Sequence, residues 1–161
     1  MAVIPAGLAG TPLRPVVAQA GFLLLETPLF DSREVYGAAA KERGMLVRNA
    51  MLGAALAKKL GNNPVVLMGG HGMTVVADSI KRATAQAVYT RIDAQTQLEA
   101  TQLHKNITSI DEKELASSQV EKFDLDRPWD NFKNKLPKWP HYVDQRAERA
   151  YLLRMKVEPG R

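Results

Sequence analysis

The sequence predicts a layered α/β fold, and three observations carry the prediction. The apolar run Val65-Val66-Leu67-Met68 has the length of a buried strand and lies between the turn Asn62-Asn63-Pro64 and the glycines of Gly69-Gly70-His71-Gly72. A helical pattern precedes it, and a much longer one follows a second strand-like stretch, Met73-Thr74-Val75-Val76. The order helix, strand, turn, strand, long helix asks for helices packed on a sheet.

Taken in order, residues 1 to 15 read as irregular, because Ala6-Gly7-Leu8-Ala9-Gly10-Thr11-Pro12 is rich in turn formers. Val16 to Leu25 fits a short buried helix or strand. Thr27 to Asp31 fits a short strand running into a polar loop that holds Tyr36, Gly37 and Gly44. Asn49 is the expected N-cap of a helix whose apolar face is Leu52, Ala55, Leu56 and Leu60, with Lys58 and Lys59 pointing elsewhere and Gly61 closing it. The long helix is expected to start near Asp78 or Ser79, with Ile80, Ala83, Ala87, Ala94 and Leu98 facing the sheet. Beyond His104 the chain turns polar, with a helix expected from Asp111 to about Lys122, a loop containing Pro128, and a last helix between about Tyr142 and Val157.

With 161 residues, 45% of them hydrophobic, the chain is long enough for one domain, 1–161, with a real core. It has no cysteine, which excludes disulfides, thiolate zinc sites and a cysteine nucleophile, so any metal must use His, Asp or Glu. The net charge of +5 favours phosphorylated or carboxylated small molecules. Acids and bases alternate, as in Asp111-Glu112-Lys113-Glu114, and no basic block or nucleic-acid motif is present, so no nucleic-acid partner is expected. The apolar N-terminal stretch lacks a basic start, is broken by Pro5, Pro12 and Pro15, and contains Arg14. Neither a signal peptide nor a membrane span is predicted, and the expected location is cytoplasmic.

His71 is the leading candidate for chemistry. An apolar strand would deliver its imidazole into a turn whose glycines let a ligand approach closely. Spacing alone leaves two readings open: a hydrogen-bonded structural histidine, or a metal ligand or base. His104, near a helix end, fits a residue that complements the helix dipole, and His141, beside Trp139, Pro140 and Tyr142, fits surface packing. Tyr36 reads as packing rather than as a proton donor. The aromatics Phe123, Trp129, Phe132 and Trp139 read as a helix-docking or oligomer surface.

Three blocks together resemble the class II aldolase/adducin family, which includes the fuculose-phosphate and rhamnulose-phosphate aldolases and the ribulose-phosphate 4-epimerases. They are Gly10-Thr11-Pro12-Leu13-Arg14-Pro15-Val16; then Leu46-Val47-Arg48-Asn49 with Leu52 to Ala57 and the run through Gly70-His71-Gly72; then Ala87-Val88-Tyr89 through Gln95-Thr96-Gln97-Leu98. The resemblance covers about residues 5 to 105 and implies an α/β/α class II aldolase-like domain with a helical tail at 106–161. It further implies Zn2+ or another divalent metal held by three histidines, acting as a Lewis acid on a small hydroxylated, anionic substrate. His71 matches the family's third metal histidine. The family's His-x-His pair and catalytic glutamate lie upstream of the first block and have no counterpart here, so the chain is expected to be the C-terminal portion of such a domain. A histidine-aromatic pair that follows the Arg-Pro-Val segment in the family is Val17-Ala18 here. Family enzymes are commonly cyclic tetramers with sites near subunit interfaces, to which Tyr142 or Tyr151 could contribute, so a homo-oligomer is expected.

Two functions follow. One is a class II aldolase-type lyase that cleaves a carbon–carbon bond through a metal-stabilised enediolate, with decarboxylases and epimerases of the family sharing the same enolate logic. The other is a non-catalytic, adducin-like assembly domain whose metal site has decayed. Loss of the paired histidines favours the second, and retention of Gly70-His71-Gly72 favours the first.

Overall fold

The computed structural model describes residues 3–8, 10, 12–23, 25–37, 44, 46–104, 106–117 and 125–135. They fall into two compact units, divided after Leu125. In the first unit the order is α1 (Val3–Ala6), a 3-10 helix (Ala18–Leu23), β1 (Leu29–Phe30), α2 (Ser32–Tyr36), α3 (Ala50–Leu60), β2 (Val65–Met68), β3 (Gly72–Val75), α4 (Ile80–Leu103) and α5 (Glu112–Ser117).

The sheet has the order β1-β2-β3, with β1 parallel to β2 and β2 antiparallel to β3. All four residues of β2 are buried, as a central strand covered on both faces requires. Successive side chains of a strand point to opposite faces. Val65 and Leu67 join Val3, Leu13, Ala20, Leu23 and Ala94 on one face; Val66 and Met68 join Phe30 and Leu52 on the other. The expected α/β/α layering is therefore present, with α1, the 3-10 helix and α4 on one side of the sheet and α2 and α3 on the other.

Helix α3 forms for the reasons legible in its sequence. Asn49 Oδ1 accepts from the Leu52 N–H at 2.9 Å, Gly61 closes the helix at φ 55° by donating to Ala57 O, and Leu52, Ala55, Leu56 and Leu60 pack on the sheet. Helix α4 starts after the N-cap Ser79, as expected. Its buried face differs from the expected one. Ile80 is 80% exposed and Leu98 is on the surface, while Thr90, Asp93 and Gln97 are buried beside Ala85 and Ala94. The physical reason is that these polar side chains satisfy backbone groups of a neighbouring loop, described below.

Three further expectations are corrected. The N-terminal stretch contains the short α1. The loop expected to hold Tyr36 begins with α2, capped by Asp31, and half-buried Tyr36 packs against the Phe30–Leu52 cluster. Strand β3 starts at Gly72, one residue earlier than expected. Helix α5 begins within the expected span: Asp111 and Glu114 exchange backbone N–H to carboxylate bonds, each at 2.9 Å, in a capping box. The expected continuation to Lys122 lies outside the described residues.

The second unit contains α6 (Asp126–Asn134), with an ion pair between Lys133 and Asp130 at 2.8 Å. Pro128, expected in a loop, sits in the first turn of this helix, where its missing N–H leaves no bond unmade. The expected helix from Tyr142 to Val157, along with Phe123, Trp139, His141 and Tyr151, falls outside the described residues. Among the described residues no helix is long and apolar enough to cross a membrane.

Candidate functional site

The parallel pairing of β1 with β2 brings their C-terminal ends to the same end of the sheet. In open α/β sheets that end is where ligands collect, because the loops leaving it diverge. Leaving β1, the chain places Asp31 and then α2; leaving β2, it makes the tight turn Gly69-Gly70-His71 before Gly72 pairs with Met68.

The turn is rigid for local reasons. The His71 N–H donates to Met68 O at 3.0 Å, and Gly69 N–H donates to Phe30 O at 2.9 Å, tying the turn to both strands. Gly70 has φ 69°, a left-handed conformation that glycine adopts without a Cβ penalty. The backbone is thus held while the His71 side chain is exposed, and no partner meets its imidazole among the described residues. The structural reading would need a hydrogen-bond partner for this imidazole, and the described residues supply none.

Asp31 lies against the same turn. A Cβ added at Gly69 would sit 3.6 Å from Phe30 O and 3.8 Å from the Asp31 carboxyl carbon. Asp31 Oδ1 accepts from the Arg33 N–H to cap α2, and both carboxylate oxygens accept from Arg33 Nε at 2.9 Å, with Nη2 closing the pair on Oδ2. The Arg33 side-chain hydrogen bonds hold the Asp31 carboxyl below the usual aspartate range, against a smaller opposing effect of burial. Sequence reading singled out neither Asp31 nor Arg33 as functional. The available signal was a strand ending in Asp-Ser-Arg-Glu, an N-cap followed three residues later by glutamate.

A second polar constellation lies on α4. Asp93 Oδ1 accepts from the N–H of Val16 at 2.7 Å and of Val17 at 3.0 Å. One turn later Gln97 accepts from the Arg14 N–H at 3.0 Å and donates to Pro12 O at 2.9 Å. These bonds fix the Pro12–Val17 loop on the helix. Asp93 is fully buried, its Oδ2 has no hydrogen-bond partner among the described residues, and burial pushes its carboxyl up to about 6 against the opposing Val16 and Val17 hydrogen bonds.

Of the other histidines, His104 is not brought to His71, and His141 lies outside the described residues. His104 is the exposed C-cap of α4, and its Nδ1 lies 3.0 Å from Asn106 O and 3.2 Å from Asn106 N, donating or accepting according to the tautomer. Among the described residues no three His, Asp or Glu side chains converge on a point where they could hold a metal ion. His71 alone supplies at most one ligand.

Comparison with known proteins adds what geometry cannot. The family description "Class II Aldolase and Adducin N-terminal domain" matches residues 3–98. The chain is 33% identical over 114 residues to a 3,4-dihydroxyphthalate decarboxylase of Arthrobacter keyseri, covering 71% of this chain and 44% of that protein. It is 38% identical over 103 residues to decarboxylase tropJ of Talaromyces stipitatus, covering 59% and 38%. A 3,4-dihydroxyphthalate decarboxylase of Terrabacter sp. is 34% identical over 87 residues, covering 54% and 34%. The chain therefore spans less than half the length of these curated relatives.

Proposed function

We propose, from the premise that this chain belongs to the class II aldolase/adducin family, that it is the His71-bearing part of a lyase that decarboxylates a small hydroxylated acid. The expected aldol cleavage of a sugar phosphate gives way here to decarboxylation, because the relatives' names describe loss of carboxylate from a hydroxylated ring. Both reactions break a carbon–carbon bond and leave an electron pair that must be spread onto oxygen. The observation that carries the reading is the exposed imidazole of His71, without a partner among the described residues, on a fixed turn at the C-terminal ends of two parallel strands.

Members of the family usually use a divalent metal. The described residues do not by themselves fit one, since zinc sites take three or four protein ligands and only His71 is offered here. Further ligands would have to come from outside the described residues. What this chain's own residues do is narrower: Gly70 and the two backbone bonds fix the turn that carries His71, and the Asp31–Arg33 ion pair is held with its Asp31 end against that turn. A homo-oligomer, as in family enzymes with sites near subunit interfaces, belongs to the same proposal. The second reading, an adducin-like assembly domain, draws on the absence of a three-ligand cluster among the described residues.

Carbon dioxide release from 3,4-dihydroxyphthalate, measured for the protein and for His71→Ala, tests the choice. The lyase reading expects release that falls at least roughly a hundredfold in the variant, since losing only a residue that supports a metal ligand already costs roughly 10–100-fold. Release unchanged by His71→Ala, or none from the unmodified protein with zinc supplied, would favour the assembly reading.

A further inference from the structure

The Asp31–Arg33 pair invites a reading beyond that of a surface ion pair. Arg33 is exposed, with 72% of its side chain open to solvent, yet it does not extend outward. It folds back two residues onto its own helix cap, so that Nε and Nη2 are both occupied by the Asp31 carboxylate. A guanidinium has five N–H donors in a planar fork. The Asp31 contact uses the inner edge and leaves the outer one, Nη1 with the second Nη2 hydrogen, with no acceptor among the described residues. That outer edge has the spacing that matches a carboxylate with two parallel bonds.

The position is as telling as the geometry. Asp31 Oδ2, which receives Arg33 Nη2, is the same oxygen that faces Gly69, 3.9 Å from where a Cβ would stand. Gly69 opens the turn that presents His71. The fork is therefore held at the ligand-collecting end of the sheet, one carboxylate away from that turn.

We propose that the outer edge of the Arg33 guanidinium, buttressed by Asp31, is a carboxylate-binding subsite of the His71 centre. It would hold a carboxylate of an acid substrate in two parallel charge-assisted hydrogen bonds, with Asp31 fixing the plane of the fork before the ligand arrives. This rests on the reading of the centre as one that takes a hydroxylated acid. Arg33 is on this account a binding residue and takes no part in bond breaking. Orientation of the acid by one carboxylate would decide which neighbouring carbon meets the His71 side of the site.

Calorimetric titration of the full chain with phthalate, without added metal and without turnover, tests it. Phthalate is expected to bind, Arg33→Gln to weaken that binding roughly tenfold or more, and Arg33→Lys, which keeps the charge and loses the fork, to recover only part of the loss. Melting temperatures matching the unmodified protein are expected for both variants, because the side chain is exposed. No phthalate binding, equal binding by Arg33→Gln, or full binding by Arg33→Lys would overturn the subsite. Failure of the subsite leaves the His71 reading standing, because that reading is measured by carbon dioxide release in His71→Ala and this one by binding without turnover in the Arg33 variants.

Discussion

The two polar constellations of this domain, the His71 turn and the Asp93–Gln97 clamp, differ in where their polar atoms find partners. On α4 the side chains are buried, and three of their four polar atoms meet backbone groups of the Pro12–Val17 loop. At the turn the arrangement is reversed: the backbone is satisfied, and the imidazole is exposed without a partner among the described residues. Buried polar groups that satisfy backbone hold a fold together, because leaving them unpaired is costly. A polar side chain whose backbone is fixed and whose own donors are unspent is placed to meet something else. The clamp shapes the domain, and the turn carries the site proposed for its chemistry.

The largest effect that sharpens this contrast is expected at the clamp. Asp93→Ala strips the acceptor from two backbone N–H groups and should cost about 2–4 kcal/mol in denaturant unfolding. A pH dependence follows from the same carboxyl. Burial raises it from 3.8 to about 6, so the folded state holds this proton more tightly than the unfolded chain does. Its stabilising contribution is fully present below 3.8 and is lost as pH rises to about 6, at a slope of roughly 1.4 kcal/mol per pH unit. Asp31, held low by Arg33, works in the opposite sense and below 3.8. Comparing unfolding curves of the protein and Asp93→Asn between these limits isolates the Asp93 part, and an identical pH slope in both would refute it.

Smaller changes follow outside the clamp. Asn49→Ala removes the cap of α3 and should cost about 1 kcal/mol, read as a lowered melting temperature. His71→Ala should alter stability least, by no more than about 0.5 kcal/mol, because its side chain holds nothing together among the described residues. A destabilisation of His71→Ala as large as that of Asp93→Ala would erase the distinction between the two regions.

The sequence made some of this visible and hid the rest for identifiable reasons. Strand β2 and helix α3 were legible because pattern, cap and terminator agree: four apolar residues between turns, and Asn49 and Gly61 at the ends of one apolar face. The buried face of α4 was not, because periodicity scores apolarity, and here Asp93 and Gln97 are buried by hydrogen bonds to residues some eighty positions earlier. Helix α2 is too short for a period to show, so the sequence pattern puts Asp31 at the end of a strand, whereas in the structure it caps a helix. His71 stood out from its glycines and strand. Arg33 did not, since only the parallel register of β1 and β2 brings its partner Asp31 against the turn.

Zinc binding by the purified protein, compared with His71→Ala and His104→Ala, separates a metal-binding histidine from one that only ends a helix. Whatever zinc affinity the protein shows is expected to be reduced by His71→Ala and untouched by His104→Ala, whose imidazole meets Asn106 at the far end of α4 instead. Zinc held equally by His71→Ala and the unmodified protein would contradict it.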